Sequence, residues 1–153
     1  MKAQLTPEQS VRAMQVINFA LVAGVMIFAL IAVIGIGALE QPPAGHFVSL
    51  VAAAAAAMAF VMHLVVPNAI GAELSGGESG RDAANWYGVY QTRLIVALAI
   101  LEGAAFFNLI ATISEHNWWS LAIAGVLVFW MLIRFPTRTR VDQWVESQKM
   151  MTE

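Results

Sequence analysis

The sequence predicts an all-α fold, an integral-membrane four-helix bundle with both termini cytoplasmic and a short amphipathic C-terminal tail helix. Three observations carry that expectation. Charged residues make up only 12% of the chain and hydrophobic ones 59%, whereas a soluble domain carries roughly 25% charged residues. Four stretches reach or approach the ~20 apolar residues that cross a bilayer as a helix: about Val16–Leu39, Phe47–Val66, Leu94–Ile113 and Trp118–Phe135. Finally, the cations Lys2, Arg12, Arg81, Arg93, Arg134, Arg138, Arg140 and Lys149 fall only at the N-terminus, in or just after one long polar connection, and in the C-terminal tail. Cytoplasmic loops collect Lys and Arg, so those three regions are expected on the cytoplasmic face of one membrane domain, 1–153, in the cell membrane.

The first helix begins in water. Thr6 suits an N-cap, Pro7 the first helical position, and Gln9 completes a capping box. The apolar part, 16–39, is too long and too poorly flanked by positive charge for a comfortable cleaved leader. "EQPPAGH" (40–46) is read as a tight turn, because its prolines stop a helix. The second helix, 47–66, carries the run "AAAAAA" (52–57), a narrow surface suited to close helix packing. "PNAIGAELSGGESGRDAAN" lies within a predicted cytoplasmic loop, 67–86, with a Gly-Ser-Glu centre typical of linkers. The third helix follows at 87–113, "SEHN" (114–117) is a short turn, and the fourth helix takes 118–135. Trp118 and Trp119 mark the outer interface, and Trp86, Tyr87 and Tyr90 the inner one. In the tail, 136–153, Val141, Trp144 and Val145 share one face of a short helix expected on the membrane surface.

One residue contradicts its surroundings. Glu102 stands in "LAILEGAAFFNLIA" (98–111), near the centre of the third apolar stretch. An ionised acid at the middle of a lone membrane helix costs ~3 kcal/mol on insertion scales. Arg93 is nine residues earlier, ~13.5 Å along the axis and on the opposite face, so it does not neutralise Glu102 from the same helix. It is expected to snorkel to the interface. Ile95, Ala99, Gly103 and Phe106 lie beside Glu102 at helical spacing. Ala99 and Gly103 form a small-xxx-small pair that admits a neighbouring backbone. Asn108 sits about 240° round the helix from Glu102 and is expected to hydrogen-bond between helices. His63 and Arg93 share a depth on the cytoplasmic side, where they either anchor the interface or flank a path to Glu102.

The stretch "YQTRLIVALAILEGAAFFNLIA" (90–111) resembles the acid-bearing helix of the F-type ATP synthase proteolipid, subunit c. In that family a polar cytoplasmic loop leads into an apolar helix, and a mid-membrane acid is followed by small residues and aromatics. The resemblance covers about residues 47–113, with the alanine-rich helix matching the family's small-residue helix. It implies that Glu102 is the ion-binding carboxylate. Gly103 stands where sodium-binding members offer a hydroxyl, so it implies protons as the ion. The chain departs from the family in having alanines for the glycine repeat, a longer loop in place of Arg-Gln-Pro, and two further helices. Four-helix V-type proteolipids carry their acid in the second or fourth helix, and here it is in the third.

Other chemistry is not expected. With no cysteine, thiolate metal sites, disulfides and c-type haem attachment are excluded. Among His46, His63 and His116, only the outer two lie at one depth, and both are in or beside turns, so no haem or metal is expected. No nucleophile–base set, phosphate-cradling glycine loop or basic aromatic run appears, so neither an enzyme nor a nucleic-acid partner is expected, and no cofactor. The expected partners are the lipid bilayer and either further copies of the chain or the subunits of a membrane complex. Two functions follow: proton binding or relay at Glu102, or an accessory subunit without transport, in which Glu102 serves helix packing.

Overall fold

The computed structural model describes residues 6–75 and 83–152. Helix α1 spans Pro7–Leu30 and runs on through a π-helical turn, Ile31–Gly35. Its start is the expected capping box: the Gln9 amide donates to Thr6 Oγ1 at 3.3 Å, and the Thr6 amide to Gln9 Oε1 at 3.0 Å. Its end is set by Gly37, whose φ of +64° places it where a side chain is strained. The turn returns the Ala38 amide to Ala32 O at 3.2 Å.

Helix α2 spans Phe47–Ser75 and α3 spans Ala83–Glu115. The polar loop expected over 67–86 is therefore shorter at both ends, and the part containing Arg81 lies outside the described residues. The second helix was expected to end at Val66, yet it runs on through Pro67, which lies inside α2. Apolar helices tolerate such a proline where neighbouring groups satisfy the backbone around it. Here Asn68 Nδ2 donates to Leu64 O at 2.7 Å, and Arg93 of α3 in turn donates to Asn68 Oδ1. Helix α4 spans Trp118–Ile133. After Pro136 the chain turns by 68° into α5, Arg138–Thr152.

Three helices are long and apolar enough to cross a membrane, and a fourth if α4 and α5 are taken as one bent span. Their outward faces carry large apolar side chains: Phe19, Ile34, Phe47, Met58, Val126 and Phe129 are all more than 60% exposed. Exposure of this kind is consistent with a membrane protein.

α3 is the central element. Half of its most apolar stretch is buried, against 22% for α1 and for α2. α2 makes the most extensive contact with it, then α4, then α1. α4 also touches both α1 and α2, but among the described residues no Cα of α1 comes within 8 Å of α2. One side of α3 is thus left uncovered between those two helices. α5 was expected to lay its apolar face on the membrane surface. Instead Val141 and Val145 are buried against the ends of α1 and α3.

Candidate functional site

Glu102 lies within two residues of the middle of the α3 span Trp86–Glu115, half-buried where α1 passes α3. A Cβ added at Gly24 of α1 would stand 3.9 Å from Glu102 Oε1. Among the described residues the carboxyl has no hydrogen bond and no ion pair. The two ion pairs there both belong to Arg138, with Glu8 and with Asp142.

The residues expected to support Glu102 divide into three places. Ala99 and Gly103 are exposed, and a Cβ at Gly103 would meet nothing within 4 Å. The small-xxx-small pair therefore receives no helix among the described residues. With Gly88 and Thr92 it lines the uncovered side of α3. Asn108 is fully buried on another side. Its amide donates to Ala52 O of α2 at 3.1 Å and to Ala104 O at 2.9 Å. That bond reaches a carbonyl in the alanine run, where missing side chains let α2 and α3 approach.

His63 and Arg93 do come together, but away from Glu102. They line one cavity of about 270 Å³ with Tyr90, Trp144, Arg134 and Arg140. His63 is fully buried, and its Nε2 accepts from Trp130 Nε1 of α4 at 2.9 Å. Indole N–H only donates, so in the neutral ring the proton sits on Nδ1. Arg93 lies over the Trp144 ring, 5.1 Å from its centroid, a cation–π arrangement. It is held against α2 by Asn68 and by the close passage of Gly71, where a Cβ would fall 2.6 Å from Arg93 Cδ. Arg93, expected from sequence to snorkel to the interface, docks into this cavity at the arginine-rich end of the bundle.

At the opposite end of the bundle, Glu115 caps a helix that is not its own. Its two oxygens accept from the Val48 and Ser49 amides, each at 2.8 Å, at the first turn of α2. Free amides and the helix dipole make this a favourable anion position. Asn117 Nδ2 reaches Gly45 O at 2.6 Å and Ser49 Oγ at 3.1 Å, and His116 Nδ1 lies 2.9 Å from Ala38 O. The two short turns are thereby laced together. His46 and His116 form no metal cluster with other side chains among the described residues.

Sequence reasoning missed the Glu115 cap and the full arginine cavity. A carboxylate at the end of one helix and bare amides at the start of another were both visible, but not that they meet. Arg134 and Arg140 were counted as topological signals, and only the bend after α4 turns them toward Arg93. No family model matches this chain, nor does any curated protein or solved structure.

Proposed function

We propose that this chain is a small multi-pass protein of the cell membrane whose Glu102 binds and releases a proton within the bilayer, as in the proteolipid hairpin that residues 47–113 resemble. The termini and the α2–α3 connection then face the cytoplasm, since every arginine among the described residues gathers at that end. One observation carries the reading: Glu102 is at mid-span, partly accessible, and without a hydrogen-bond partner or counter-charge among the described residues. A structural acid is enclosed by donors, as Glu115 is. An acid with none must take up a proton to lie in hydrocarbon, and it can return that proton where water or a cation meets it.

A second reading has its own support. Ala99 and Gly103 present a smooth outward face beside Glu102, suited to a helix from another chain. Glu102 would then be a contact residue of an accessory subunit.

Labelling native membranes with a hydrophobic carbodiimide, read by mass spectrometry across pH, tests the proton site. Such reagents modify protonated carboxyls in apolar surroundings. Glu102 should label selectively, with labelling fading as pH rises, and proton uptake into proteoliposomes should vanish in Glu102→Gln while helix content persists. Absence of labelling at every pH would sink the proton-site reading. Unchanged behaviour of Glu102→Gln in both assembly and proton uptake would favour the accessory subunit.

A further inference from the structure

We propose that the arginine cavity and the groove above it form one binding site for an anionic phospholipid, with its phosphate among Arg93, Arg134 and Arg140 and an acyl chain along α2 and α4. The site rests on the bilayer reading but not on Glu102 as a proton site.

The cavity brings three guanidinium groups together with Tyr90, and no described carboxylate lines it. Arg134 feels the like charge of Arg93, and Tyr90 is within electrostatic range of all three arginines. Their donors are only partly used. Arg93 gives one N–H to Asn68, Arg140 gives one to Ile133 O at 2.8 Å, and no ion pair forms on any of the three among the described residues. Each guanidinium carries five N–H donors in a planar fork that matches phosphate oxygens. Among the described residues these three cations around about 270 Å³ have no carboxylate partner, and that volume is roughly nine times a water molecule's share of the liquid, ample for a phosphate group.

The second cavity decides between a free phosphate and a lipid. A groove of about 350 Å³ lies between α2 and α4, walled by Ala53, Ala56, Ala57, Phe60, Ile123 and Val126. The two share α2: the groove reaches Phe60, and the arginine cavity begins at His63, bounded further by α3, by α5 and by Arg134 just past the end of α4. Phe60 ends the groove, and its ring is 4.9 Å from that of His63, which lines the arginine cavity. The alanine side chains from 53 to 57 leave the trough open, and it is almost wholly apolar. A charged pocket at the end of an apolar trough fits one molecule with a phosphate head and a hydrocarbon tail. Basic pockets between helices on the cytoplasmic side of a membrane are where anionic headgroups bind.

The full chain in phosphatidylcholine–detergent micelles, titrated with phosphatidylglycerol and read by native mass spectrometry, tests the site. Wild type should retain one phosphatidylglycerol. Arg134→Ala with Arg140→Ala should weaken retention about tenfold or more, whereas Arg12→Ala, which removes a charge elsewhere at the same end, should not. Ala57→Phe, filling the trough, should also weaken it while leaving the arginines intact. Excess inorganic phosphate should fail to displace the lipid. Equal retention by wild type and the double arginine variant would overturn the proposal, as would retention that requires the arginines but ignores Ala57→Phe and yields to phosphate. The latter pattern would assign the cavity to a soluble phosphate. Circular dichroism on each variant separates lost binding from lost folding. Carbodiimide labelling of Glu102 should be the same in all of them, so failure here leaves the proton-site reading intact.

Discussion

Replacing Trp130 and His63 by phenylalanine, singly and together, measures a side-chain hydrogen bond that ties α2 to α4. The bond is 2.9 Å, from Trp130 Nε1 to the fully buried His63 Nε2. Both rings also pack on Phe60, at centroid distances of 4.9 and 5.1 Å, and phenylalanine keeps a ring at each place. Trp130→Phe removes the donor and leaves a buried acceptor unpaired, which costs about 1–3 kcal/mol. His63→Phe leaves the indole N–H unpaired at a half-buried site, so about 1 kcal/mol is expected. The double variant has neither orphan. Hydrogen bonds inside membrane proteins average ~0.6 kcal/mol and reach ~1.7, so a coupling of about 1 kcal/mol should appear in the cycle. Equilibrium unfolding in mixed micelles, followed by helix ellipticity, supplies the four free energies. Strict additivity, with coupling under about 0.3 kcal/mol, would refute the argument, because unconnected sites add to within ~0.3–0.5 kcal/mol.

Two further substitutions probe the ends of the bundle. Glu115→Ala should speed amide hydrogen exchange at Val48 and Ser49 and loosen the first turn of α2, whereas Glu40→Ala at the same end should change neither; equal exchange in wild type and Glu115→Ala would remove the capping role. Val141→Asp places a carboxylate where no solvent reaches and should release α5 from the ends of α1 and α3. Because the chain has no cysteine, a single spin label at Ser147→Cys reports that release directly, and an unaltered spectrum would contradict the docked position of α5.

The helices themselves were legible because long apolar helices write themselves as uninterrupted apolar runs, and because Thr6, Pro7 and Gln9 state a helix start in local chemistry. The end of the second helix was set too early, because the bond that steadies the backbone after Pro67, Asn68 held by Arg93, comes from a residue 25 positions away. The isolation of Glu102 among apolar neighbours was also plain in the sequence. Which helix passes it was not, since Gly24 is one small residue among many along α1. Ala99 and Gly103 were expected to admit a neighbouring helix, but small residues in a row do not say whether that neighbour belongs to the same chain, and no described helix lies there. The arginine cavity was hidden for the same kind of reason. Arg93, Arg134 and Arg140 are far apart in sequence, and their meeting depends on the 68° bend between α4 and α5.

The separation of α1 from α2 has a consequence for how the molecule is made. A ribosome delivers α1 before α2 to α5, yet among the described residues its packing partners are α3, α4 and α5, and α3 starts only at Ala83, 53 residues beyond Leu30 (83 − 30). At ~5–20 residues per second, α1 waits roughly 3–10 s for the first of them. α2 and α3 follow one another in sequence and share the most extensive contact. Assembly is therefore expected to run outward from the α2–α3 pair, with α1 seated after it although made before it.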